Sequence, residues 1–140
     1  MMYCKFCGIL AGEIECQTIY EDEYVVAFLD RSPVNPGHIL VVPREHILSV
    51  WHLEPGAYAR LFKVVKQMAN AIQSAFNPNR VGTLVAGFDI DHAHVHVIPM
   101  KCRDDVATKR VHSNEWAQPT PAELAATARA IQGKLRNVTG

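Results

Sequence analysis

Three histidines, His92, His94 and His96, alternate with Ala93, Val95 and Val97 in the run from Asp91 to Pro99. In an extended chain that period of two sends the imidazoles to one face and the small and branched side chains to the other. Alternate positions stand roughly 7 Å apart, near enough for the imidazoles to address one substrate group or one metal ion. A neutral imidazole at pH 7 can act as nucleophile, proton carrier or metal ligand. A solvated polar face that happens to be histidine is the alternative, and three imidazoles in strict alternation are a poor choice for solubility alone.

The second chemical feature is Cys4-Lys5-Phe6-Cys7, a C-x-x-C knuckle; Cys16 and Cys102 have no such spacing. A redox pair belongs at a helix start after a strand, whereas this one precedes any strand signal, so metal binding is the preferred use. Two thiolates do not complete a tetrahedral zinc site, and the remaining ligands must come from elsewhere in the chain.

The elements that position these residues follow from periodicity. Phe6, Ile9 and Leu10 suit one apolar turn of a short helix ended by Gly12. Thr18–Tyr20 and Tyr24–Leu29, branched and aromatic, flank the acidic Glu21-Asp22-Glu23 and predict a hairpin. Asp30 to Gly37 is dense in turn formers and predicts an ordered loop, after which His38–Pro43 is too short and too branched for anything but a buried strand. Pro55 opens the one long helix, whose apolar stripe runs through Tyr58, Leu61, Phe62, Val65, Met68, Ala69, Ile72 and Phe76. Asn77-Pro78-Asn79 stops it, Val81–Ala86 predicts a strand, and Gly87 bends the chain into the histidine strand. Lys101–Gln118 is polar and irregular, and Thr120-Pro121-Ala122-Glu123 is a capping box before a terminal helix striped with Leu124, Ala128, Ile131 and Leu135. The class is therefore α+β: a mainly antiparallel sheet with the long helix packed on it.

Composition narrows the function. The 140 residues suit one domain, a core at about 3–100 with an extension over 101–140. Fourteen basic residues against fourteen acidic ones give no net charge, which does not support binding to a nucleic acid polymer or to an anionic membrane. With no leader pattern and no apolar run of membrane-crossing length, a cytoplasmic protein with reduced cysteines is expected.

The run His92-Ala93-His94-Val95-His96-Val97-Ile98 resembles the histidine triad (HIT) family of nucleotide hydrolases and transferases, and more of the chain agrees. The C-x-x-C knuckle, the segment from Tyr24 ending Phe28-Leu29-Asp30, and the block from Pro36 through His38 and Pro43 to His46 stand in family order, so the likeness covers residues 3–100. It implies a half-barrel of antiparallel strands with one long helix, a purine nucleotide as substrate, and a homodimer. It implies that His94 is the nucleophile on the α-phosphate, forming a nucleotidyl-histidine that water resolves to release a nucleoside monophosphate, AMP being the leading candidate. The leaving group would be a phosphoramidate amine or a phosphoanhydride or ester oxygen. His96 would contact phosphate oxygens. Cys4, Cys7, His46 and His92 would hold a structural zinc, as in the zinc-bearing, Hint-like members. Phe6, Ile9, Phe28 and Leu29 would line the base, with ordinary core packing as their alternative use, and Asp30 would accept from the ribose hydroxyls.

One stretch departs from the family. Where many members carry an asparagine-glycine pair and then glutamine or serine, this chain has Leu84-Val85-Ala86-Gly87-Phe88-Asp89-Ile90-Asp91. Phe88 cannot donate a hydrogen bond and Asp89 repels phosphate unless protonated or turned away. A second function is therefore carried beside the enzyme: a zinc-stabilised module that binds nucleotide or protein with little turnover. A metallohydrolase using the triad as catalytic ligands fares worse, because paired cysteines favour a closed site.

Overall fold

The computed structural model describes residues 4–107 and 118–135. Its sheet comprises β1 (Thr18–Glu21), β2 (Val25–Leu29), β3 (Ile39–Pro43), β4 (Arg80–Leu84) and β5 (Val95–Met100), in the order β1-β2-β3-β5-β4 with every neighbouring pair antiparallel. β2 and β3 are buried along their whole length, so alternate residues feed two different cores. On one face Val25, Ala27, Leu29, Ile39, Val41, Val95 and Val97 pack with the long helix α2 (Pro55–Phe76) and with Ala128 and Ile131 of α4 (Pro121–Leu135). On the other, Val26, Phe28, Leu40 and Val42 pack against Phe6 and Ile9 of the short helix α1 (Lys5–Leu10).

The expected α+β class and antiparallel sheet are found; several boundaries differ. The residues of α2 that are buried are Leu61, Val64, Val65, Met68, Ala71 and Ile72. The stripe is rotated from the expected one, and Tyr58 and Phe76 at its ends stay more than a third exposed. β4 ends at Leu84 and not at Ala86, because its last partner on β5 is His96. For the same reason β5 begins only at Val95, so of the three histidines only His96 lies in a ladder. His92 and His94 precede it in a segment pinned instead by the Ala93 N–H to the Ile47 carbonyl at 2.8 Å.

A four-residue helix, α3 (Asp104–Ala107), follows β5 inside the stretch expected to be irregular; residues 108–117 of that stretch lie outside the described residues. The capping box is present: the Thr120 N–H donates to Glu123 Oε1 and the Glu123 N–H to Thr120 Oγ1, both at 3.1 Å. Gly37 sits at φ +102°, and a Cβ there would stand 2.8 Å from the Phe76 ring, so the turn into β3 demands glycine twice over. Among the described residues no helix is long and apolar enough to cross a membrane.

Candidate functional site

Four ligand atoms converge where α1 meets the segment before β5. Cys4 Sγ lies 3.5 Å from His92 Nδ1, Cys7 Sγ 3.6 Å from His92 Nδ1 and 3.2 Å from His46 Nδ1, and the two Nδ1 atoms are 3.3 Å apart. A tetrahedral zinc with its usual Zn–N and Zn–S lengths needs edges of about 3.3 to 3.8 Å. The set fits in donor type and in spacing. His92 is fully buried, and its Nε2–H donates to the Pro43 carbonyl at 2.8 Å, which leaves the Nδ1 lone pair facing the thiols. Burial holds its imidazole below the usual histidine range, so it stays neutral and free to ligate. Burial, with the neighbouring Cys4 thiol, pushes Cys7 up; two thiols this close call for a cation to keep them ionised.

His94 is held in the opposite sense. Its Nδ1–H donates to the His92 carbonyl at 2.7 Å, and a carbonyl can only accept, so the proton is on Nδ1 and the lone pair on Nε2. Burial lowers its pKa, opposed by the bond to His92 and by the carboxyls of Asp89 and Asp30. The ring lies edge-on to Phe6, centroids 5.0 Å apart, and 5.2 Å from the ring of His96. Such an imidazole can attack an electrophile through Nε2 without a separate base.

His96 takes its tautomer from a residue for which no role was expected. His38, 1 % exposed, stands immediately before β3, where Leu40 pairs with His96 and brings the two imidazoles onto one face. The Val34 N–H donates to His38 Nδ1 at 3.1 Å, so the proton of neutral His38 is on Nε2. That Nε2–H points at His96 Nδ1, 2.9 Å away, and forces the His96 proton onto Nε2. Burial drives the His38 pKa down to about 3, so His38 stays neutral and brings a single proton, on Nε2, to the contact. The signal in the sequence was a lone histidine opening an otherwise apolar buried strand; what it hides is the partner, set only by register.

Asp30 Oδ1 accepts the Ser32 N–H at 2.9 Å, and its Oδ2 is 3.6 Å from His38 Nε2. Burial raises its pKa while the Ser32 bond and the neighbouring imidazoles resist. Phe6, Ile9 and Phe28 are brought together on this face, Phe6 and Phe28 edge to face at 5.6 Å. Leu29 is not: the alternation of β2 turns it into the α2 core, where it packs with Ile39 and Val41. In the departing stretch Phe88 is 88 % exposed, so it offers the site neither a donor nor cover.

A family model described as the HIT domain matches residues 11–102. A protein named Protein hit from Bacillus subtilis is 35% identical over 139 residues, 94% of each chain. The adenosine 5'-monophosphoramidase hnt1 of Schizosaccharomyces pombe is 35% identical over 99 residues, 70% of this chain and 74% of its own. A histidine triad nucleotide-binding protein described as hypothetical, ST2152 from Sulfolobus tokodaii, superposes with a TM-score of 0.82 at 31% identity, over 96% of this chain and 93% of its own. With its histidines tied into this fold and its sequence matched along most of its length, the chain belongs to the HIT family.

Proposed function

We propose that the protein is a nucleotidyl hydrolase or transferase that releases a nucleoside monophosphate, AMP foremost, from a phosphoramidate or phosphoanhydride. The observation that carries this is the bond from His94 Nδ1–H to the His92 carbonyl, because it presents Nε2 as a lone pair beside a second imidazole whose outer nitrogen carries a proton. In the first step His94 Nε2 bonds to phosphorus as the bond to the leaving group breaks, the leaving group departing with its electron pair. Charge accumulating on the phosphoryl oxygens meets the His96 Nε2–H. In the second step water attacks phosphorus and His94 departs, regenerating the free ring.

Phe6, Ile9 and Phe28 form the apolar wall for the base and Asp30 the acceptor for the ribose diol. Cys4, Cys7, His46 and His92 hold a structural zinc, which supplies a rigid tie between α1 and the segment that carries His94. The chain works as one domain, in the cytoplasm, as a homodimer; β4, an open edge strand, and the exposed aromatics of α2 are the surfaces suited to a second copy. The relative from Schizosaccharomyces pombe, named for adenosine monophosphoramidase activity, supports the substrate class.

A panel of nucleoside phosphoramidates and dinucleoside polyphosphates, scored for released monophosphate, tests the reading. Turnover with at least one class is expected. Tight monophosphate binding with no product from any would overturn it in favour of the binding module, which the exposed Phe88 favours.

A further inference from the structure

The family match ends at Cys102, yet a carboxyl three residues farther on reaches back into the site's support. Asp105, on α3, is 1 % exposed. Its Oδ2 accepts the backbone N–H of Lys101 at 2.7 Å and of Cys102 at 3.2 Å, closing the turn where the chain leaves β5. The same oxygen accepts Asn35 Nδ2 at 3.0 Å, across 70 residues of sequence. Asn35, itself 8 % exposed, also donates from Nδ2 to the Pro99 carbonyl at 2.8 Å, and its own carbonyl accepts the His38 N–H at 3.1 Å. Val34, one residue back, is the donor to His38 Nδ1. Closing a turn needs only the two backbone bonds; the bond to Asn35 fastens the loop that sets His38.

We infer that Asp105 is a positioning residue for the triad: through Asn35 it holds the Val34–Asn35 turn, whose N–H keeps the His38 proton on Nε2 and the His96 proton outward. If the turn relaxes, Val34 no longer selects a tautomer. His38 with its proton on Nδ1 would set its Nε2 lone pair against that of His96 Nδ1, and His96 would turn its own proton inward to restore the bond. The outer nitrogen of His96 would then offer phosphate a lone pair in place of a donor. The effect on rate rests on the proposed role of His96; the effect on tautomer does not.

The test is long-range proton–nitrogen NMR on the full chain with labelled histidine, beside steady-state kinetics on an adenosine phosphoramidate. Wild type should show His38 in the single Nε2–H form. Asp105→Ala should show mixed His38 and His96 tautomers, with kcat lowered about 10- to 100-fold and KM within about threefold. Asp105→Asn should restore both in large part, since its amide oxygen has two lone pairs to offer the three N–H donors. An Asp105→Ala protein with the wild-type nitrogen pattern overturns the inference whatever its activity. Should that variant fail to fold, Asn35→Ala is held to the same criteria. A changed pattern in a protein whose wild type turns over no substrate would refute the enzymatic reading and leave the positioning role standing.

Discussion

Two clusters each draw one imidazole from the short run between His92 and His96, and they are built on opposite rules. Cys4, Cys7, His46 and His92 bring four ligand atoms together, and so do Asp30, His38 and His96 with three; by spacing alone either could hold a cation. In the first, the outer nitrogen of His92 is tied to a carbonyl, so its lone pair turns inward to meet other lone pairs and thiols. Thiol protons are what those lone pairs meet, and a metal ion taken up there would replace them. In the second, a backbone N–H takes the inner lone pair of His38, so a proton already lies between the two rings. A cation there would have to displace it. What separates a metal site from a proton relay is thus the partner of the other ring nitrogen.

The largest effect expected falls between the clusters. His94→Ala should lower turnover about 10⁴-fold or more while monophosphate affinity changes by less than about tenfold, about 1.4 kcal/mol, as read by single-turnover kinetics and calorimetry. An active variant would remove His94 from the proposed mechanism.

Next comes the first cluster. Protein purified without chelator should carry close to one zinc per chain by elemental analysis, and Cys4→Ser should lose the metal together with several kcal/mol of stability in denaturant titrations. If instead Asp30→Ala emptied the protein of zinc, the contrast between the clusters would be reversed. For the second cluster, His38→Asn should cut kcat about 100-fold, through the lost donor to His96, with zinc content unchanged.

The relay also has a signature in acid. His38 has its folded pKa depressed to about 3 by burial, against about 6.5 unfolded. Its folded form takes up a proton later than its unfolded form, so its contribution is fully present above about pH 6.5 and is lost as pH falls toward 3, by up to about 1.4 kcal/mol per pH unit. Urea titrations from pH 7 to pH 4 should show a shallower slope for His38→Asn than for wild type. Smallest is Asp30→Asn, expected to reduce discrimination between ribose and deoxyribose monophosphates by about tenfold or less.

Much of this was legible in the sequence, for reasons that differ by residue. The short, branched apolar run of His38–Pro43 marks β3, the alternation of the triad marks β5 from Val95 onward, and the capping box at Thr120 marks the start of α4 within a residue. The family resemblance puts Leu29 beside Phe28 on the wall of the base; neighbours in a strand buried on both faces go to different cores, and composition cannot say which face holds the site. The perfect alternation of His92 and His94 reads as strand, yet the ladder between β3 and β5 ends at the Val41–Val95 pair, before it reaches them. Phe62 and Ala69 suited the stripe of α2 by spacing, but the buried set rotates to include Val64 and Ala71. Asn35, His38 and Asp105 drew no role, since each looks locally like a turn former, a strand start or a surface acid.

By itself the sequence determined the residue types, their period and hence the chemistry available: three imidazoles in alternation, a thiol pair, and strands whose apolar runs must be covered on both sides. Only the tertiary structure decided what each imidazole does. A histidine's tautomer is set by whichever group meets its second nitrogen, and here those groups are the Pro43 and His92 carbonyls, the Val34 N–H and the His38 ring. Two of the four, the Pro43 carbonyl and the His38 ring, arrive from distant parts of the chain through sheet register, and the other two depend on how a local segment folds back on itself, so no pattern of residue types could carry them.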